Sequence, residues 1–136
     1  MTDSIDSKEK KKVMEILDSG WISEGARVKR FERELAKFVG VKHCIATSSG
    51  SAALISGLTA LKYLKKPKFG EKVITSPLTY IADASAIVVS GFEPVFVDVD
   101  PQTFGITPEN IKNHLEEAEN SKDYVGFCFV RILDSL

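Results

Sequence analysis

At 136 residues, with 43% hydrophobic and 27% charged side chains, the chain is long enough for one globular domain with a core and too short for two ordinary ones. Its 18 basic and 19 acidic residues leave a net charge of -1, so no global field draws in nucleic acid or an anionic membrane. Cys44 and Cys128 make neither a disulfide framework nor a zinc site and are expected to fill core positions, no stretch approaches the roughly 20 apolar residues that span a bilayer, and Met1 to Asp6 lacks a secretory pattern, so a cytoplasmic location is expected.

Ser7 to Ser19 reads as a helix with Val13, Ile16 and Leu17 on a short apolar face, ended by Gly20 in the left-handed conformation. Trp21 to Gly25 is a loop. A second helix is predicted from about Ala26 to Phe38, since Val28, Phe31, Leu35 and Phe38 recur on one face that should cover something, and Gly40 closes it. Its other side, with Arg27, Lys29, Arg30, Arg33 and Lys37, reads as a solvated face.

His43 to Ala46 is then a short predicted strand, and Ser51 to Leu64 a helix apolar almost all round, which should be sandwiched between layers. Lys72 to Thr75 is the next strand. A helix of small residues follows from about Thr79 to Ser90 and stops at Gly91. Pro94 to Val99 is a third strand, and Thr107 caps a helix with Pro108 at its first position. Tyr124 to Val130 has the makings of a buried strand. The alternation of strands and helices predicts an α/β domain with a mainly parallel sheet and helices on both faces. There is no internal repeat and no low-complexity tract.

Three stretches could carry chemistry. Thr47-Ser48-Ser49-Gly50-Ser51 lies between a strand and the start of a helix, where unpaired backbone N–H groups suit a phosphate. Gly50 would let a ligand approach the backbone and Ser51 would add a hydroxyl. The same residues also read as a plain polar turn whose serine caps a core helix, with no Walker-type lysine following. Ser76 to Tyr80 follows the next strand at the same sheet edge. Tyr80 would sit at a helix start, either over a flat ligand or as an ordinary aromatic. Asp98 and Asp100 end the third strand as a carboxylate pair, and the turn Pro101 to Gly105 behind them argues for capping over metal or acid–base work. His43 and His114 have no visible partner and are not ligand candidates.

Read in order, the stretches Ser19 to Gly25, Val28 to Glu32, Ser48 to Leu54, Val73 to Ala82 and Gly91 to Asp100 resemble the DegT/DnrJ/StrS family of sugar aminotransferases dependent on pyridoxal 5'-phosphate (PLP). The resemblance covers about residues 8–120 and only the N-terminal part of a family chain. It implies part of the large domain of a fold-type I PLP-dependent transferase, working as a homodimer that moves an amino group, usually from glutamate, onto a keto group of a nucleotide-linked sugar in polysaccharide biosynthesis. It assigns the cofactor phosphate to Gly50 and Ser51, the ring-stacking aromatic to Tyr80, and a place at the active-site mouth to Trp21 and Gly25. Serine stands at position 51 where threonine is common, and Asp83 where a small or hydroxyl residue is usual.

By the same resemblance, the lysine that anchors PLP and the acid that faces its pyridine nitrogen fall beyond these residues, so no catalytic residue is assigned here. Residues 1–25 would be an N-terminal helix and active-site loop, and residues 26–125 the front of the PLP-binding domain. Residues 126–136 would be a divergent tail, with truncation or a frameshift expected near residue 125. The expected function is an N-terminal fragment of a sugar-nucleotide aminotransferase, inactive alone. The alternatives are a sugar dehydratase of the same family and a non-catalytic module that binds phosphate or a partner chain.

Overall fold

The computed structural model describes residues 5–23, 25–64 and 70–127, which form two compact units, one up to Ala46 and one from Thr47 on. In the first, α1 (Ser7–Asp18) opens on a capping box: the Asp6 carboxylate accepts from the Glu9 N–H while the Glu9 side chain reaches back to the Asp6 N–H. Gly20 follows it at φ 68°, as expected for a glycine stop. Helix α2 (Ala26–Val39) ends at Gly40, φ 80°, whose N–H bonds the Ala36 carbonyl. Its basic side is solvated as predicted, with Arg27 paired to Glu15 at 2.8 Å and Arg30 to Glu34 at 2.7 Å. The apolar face behaves differently from expectation: Phe31 and Phe38 stay exposed, and Ala36 is the buried residue of the helix.

The predicted strand His43 to Ala46 does not form. No described strand pairs with it, so its amides lack ladder partners, and the Ala46 N–H is taken by the Glu32 carboxylate at 2.9 Å instead. Ile45 is 80% exposed. A strand is a paired object, and local β-character cannot create the neighbour.

The second unit runs α3 (Gly50–Leu64), β1 (Lys72–Thr75), α4 (Ile81–Val89), β2 (Glu93–Phe96), α5 (Pro108–Glu117), a 3-10 turn (Ser121–Asp123) and β3 (Tyr124–Phe127). The sheet is parallel in the order β2-β1-β3, with Lys72 to Thr75 in register against Glu93 to Phe96. Side chains alternate along a strand, so Val73 and Ile74 point to opposite faces. Both are buried, as expected of the middle strand of a parallel sheet. The core centres on Val73, Ile87 and Phe92, with Leu58 of α3 and Val125 packed against it. Register slips by one residue between Lys72 and Val73 against β3, which leaves Val125 as the extra residue there.

The α/β class with a mainly parallel sheet is therefore borne out. Helix α3, by contrast, has no fully buried residue, and Tyr63 and Leu64 are exposed: α4 covers one side, and among the described residues no second layer covers the other. Strand β2 is shorter than predicted, although the Val97 N–H still bonds the Thr75 carbonyl at 3.0 Å. Thr107 and Asn110 form the predicted cap at Pro108. His114 does acquire a partner, the Tyr124 hydroxyl at 2.9 Å, a contact between α5 and β3 that no local pattern announces. Of the predicted strand Tyr124 to Val130, residues from Cys128 on lie outside the described residues. No described helix is long and apolar enough to cross a membrane.

Candidate functional site

Helix α3 begins at Gly50. Ser49 precedes it as the cap: its hydroxyl accepts from the Ala52 N–H at 3.1 Å and its carbonyl from the Ala53 N–H at 3.0 Å. The capping reading of this turn is thus correct. It leaves work undone, because the N–H groups of Gly50 and Ser51 point ahead of the helix with no partner among the described residues. Ser51 is solvent-exposed, and among the described residues its side chain makes no hydrogen bond. A Cβ placed on Gly50 would meet nothing within 4 Å, so the space on that side of the first helical residue is open. Two unclaimed amides, a free hydroxyl and the positive end of a 15-residue helix meet at that opening.

The carboxyl end of β1 leads into Ser76 to Tyr80, the position at which ligands bind in open α/β sheets. Ser76 is buried and its hydroxyl accepts from the Leu78 N–H at 3.0 Å. Tyr80 is the N-cap of α4 and its side chain makes no capping bond; the residue is 71% exposed. Its ring face is available to a ligand. Helices α3 and α4 pack on each other: the Thr59 hydroxyl donates to Ser90, the Ser90 hydroxyl to the Ile55 carbonyl, and the Lys62 ammonium to the Gly91 carbonyl. Gly50, Ser51 and Tyr80 thus stand at the starts of two neighbouring helices of one unit.

Trp21 and Gly25 belong to the first unit. There they line a cavity of about 540 Å³ together with Ile16, Ile22 and Val28. The indole lies over the glycine so closely that a Cβ on Gly25 would sit 3.0 Å from Trp21 Nε1. The carboxylates of Asp98 and Asp100 do not converge on a site. Asp100 accepts from the Gln102 and Thr103 N–H groups at 3.0 and 2.8 Å and Asp98 from the Val99 N–H at 2.8 Å, which is turn chemistry. Among the described residues no cluster of His, Cys, Asp or Glu could hold a metal. One pairing escaped sequence reading: Asp83 is buried and accepts from the Thr79 hydroxyl. The four-residue spacing at a helix start was its visible signal.

The profile of the DegT/DnrJ/EryC1/StrS aminotransferase family matches residues 3–122. The chain belongs to this family. It is 44% identical over 108 residues to the spore coat polysaccharide biosynthesis protein SpsC of Bacillus subtilis, covering 79% of this chain and 27% of that protein. The PLP form of the sugar aminotransferase Spr1654 of Streptococcus pneumoniae superposes with a TM-score of 0.77 at 30% identity, over 95% of this chain and 31% of that one. GDP-4-keto-6-deoxymannose-3-dehydratase (ColD) with bound GDP-perosamine superposes with a TM-score of 0.73 at 32% identity, over 80% of this chain and 29% of that one. The chain thus spans less than a third of the length of each protein that it matches here. PLP is the cofactor of the family and of these structural neighbours. The residues present fit its phosphate, which needs donors and open space at a helix start, and both are found at Gly50 and Ser51.

Proposed function

We propose that this chain is the N-terminal, phosphate-binding part of a PLP-dependent aminotransferase acting on a nucleotide-linked keto sugar, and that its 136 residues alone transfer no amino group. The observation that carries the reading is the pair of unclaimed amides at Gly50 and Ser51 before open space, on a helix packed against the one that Tyr80 starts. When bound, PLP supplies an electron sink for breaking bonds at the amino-bearing carbon. The chain's own part is to bind and orient. The two N–H groups and the Ser51 hydroxyl would hold the phosphate, and the Tyr80 ring would cover one face of the pyridine and keep water from it. By the family resemblance, the anchoring lysine and the acid at the pyridine nitrogen would come from the portion of the relatives' length that this chain does not span, and a second subunit would complete a homodimer.

The test is a titration of the chain with PLP, followed by amide NMR and competed by inorganic phosphate. Gly50 and Ser51 should shift with both ligands, and Ser51→Ala should weaken binding about tenfold, the loss of one hydrogen bond to a charged group. Shifts confined to other residues would refute the site. Borohydride trapping should yield no stoichiometric pyridoxyl-lysine; a specific adduct with turnover would overturn the inactive-alone reading.

The likeness to ColD favours a second reading, in which the parent removes water from the sugar instead of adding an amino group. Gly50, Ser51 and Tyr80 would serve both reactions alike. Assaying a relative-length protein that contains this segment for a sugar product that carries a new amino group, against one that has lost water, separates the two.

A further inference from the structure

Asp83 has no role in the reading above, and its setting is unusual for a carboxylate. It is 1% exposed on the first turn of α4, among the small neighbours Ala82, Ala84 and Ala86. Burying a carboxylate is unfavourable unless hydrogen bonds compensate, so a residue that merely filled space here would be apolar. Oδ2 accepts from the Thr79 hydroxyl, and the Asp83 N–H donates to the Tyr80 carbonyl at 3.0 Å. Two anchors that bracket the Tyr80 peptide therefore end on one residue. Oδ1 has no partner among the described residues, so the anchoring rests on a single oxygen.

Tyr80 needs such anchoring. Its ring is mostly in solvent, so core packing does not hold it, and its side chain makes no capping bond. The direction in which its Cα–Cβ bond leaves the chain, and with it the set of rotamers open to the ring, is then set by the backbone at φ -70° and ψ 140°, which the turn from Thr79 to Asp83 holds. We infer that Asp83 is a positioning residue: its buried carboxylate holds Thr79 and, through that turn, presents the Tyr80 ring to the cofactor. The inference deepens the proposed function and rests on it for the identity of the ligand.

The experiment uses the full chain as Asp83→Ala, Thr79→Val and the double variant, with Asp83→Asn and Thr79→Ser as conservative controls. Each is read by Tyr80 amide order in NMR relaxation and by PLP titration. Asp83→Ala and Thr79→Val should each loosen Tyr80 and weaken PLP binding roughly three- to tenfold, the range of a misplaced aromatic contact. The double variant should lose no more than either single one, because both break one link. Asp83→Asn keeps an acceptor oxygen and Thr79→Ser keeps the hydroxyl, so both should retain the order of Tyr80. Shifts of Gly50 and Ser51 with inorganic phosphate should be the same in all variants that fold. An unchanged Tyr80 in Asp83→Ala and Thr79→Val, additive losses in the double variant, or failure of both conservative controls overturns the inference. If Asp83→Ala fails to fold, the Thr79 pair decides it. If PLP leaves Gly50 and Ser51 unmoved in the natural chain, the cofactor reading fails instead, while the order of Tyr80, measured without ligand, still reports on Asp83.

Discussion

Replacing Gly50 by alanine should make the protein more stable and a worse binder at once. Gly50 is the first residue of α3 and does not have the positive φ that only glycine tolerates, and a Cβ there meets nothing within 4 Å. Alanine therefore enters without strain and restricts the unfolded chain, a gain of about 0.4–1 kcal/mol. For a domain of this size that is a rise in Tm of roughly 1–5 °C. The same methyl group projects into the opening before the helix and keeps a phosphate oxygen from closing on the Gly50 and Ser51 amides. A hydrogen bond to a charged group contributes about 1.5–3 kcal/mol, so losing the approach to one amide should weaken PLP at least about tenfold. Thermal unfolding by far-UV circular dichroism reads the first effect, and calorimetric titration with PLP and with inorganic phosphate reads the second. A fall in Tm would show that glycine is required by the backbone. A raised Tm with undiminished affinity would show that no ligand uses the opening, and the phosphate reading would go with it.

Three further outcomes follow from other parts of the structure. A Cβ on Gly70 would lie 1.8 Å from the Asp123 carbonyl oxygen, and the Gly70 N–H bonds Lys122, so Gly70→Ala must push the lead-in to β1 away from β3. Chemical denaturation should show a loss of at least about 1–3 kcal/mol, the cost of overpacking, and an unchanged midpoint would contradict this approach. Asp100 is held below its ordinary value of 3.8 by hydrogen bonds from Thr103, backbone first and side chain second, with burial opposing them and the Gln102 N–H adding the least. A depressed carboxylate stabilises the fold above its unfolded pKa and loses that contribution as pH falls through the folded one. Asp100→Asn removes the charge, so it should give up that small contribution at neutral pH and flatten the acid limb of the pH–stability curve below about pH 3.8, the two curves converging at low pH. Gly25→Ala would press on the Trp21 ring at 3.0–3.1 Å, and since Trp21 is the only tryptophan in the sequence, its fluorescence reads the shift directly. Emission identical to that of the natural chain would mean that the indole does not rest on Gly25.

What was legible in the sequence is what local chemistry decides. Gly20, Gly40 and Gly91 stop helices where they were expected to, each at positive φ, because no other residue takes that conformation cheaply. Thr107 and Pro108 start α5 because one supplies a hydroxyl acceptor and the other has no N–H to lose. The start of α3 was legible for the same reason, since a small polar run before a helix announces its cap and leading amides, whereas the assignment of a cofactor to Gly50, Ser51 and Tyr80 came from the family resemblance. The failures share the opposite cause. His43 to Ala46 needed a neighbouring strand, Phe31, Phe38, Tyr63 and Leu64 needed a covering layer, and His114 needed Tyr124. None of these partners can be inferred from spacing along the chain. Asp83 lies between the two cases. Its link to Thr79 is local, spanning one turn, but only its burial makes that link worth having, and burial depends on the sheet beneath α4. Local rules can thus place a helix start, while a buried partner such as Asp83 becomes visible only once the sheet has taken its carboxylate out of water.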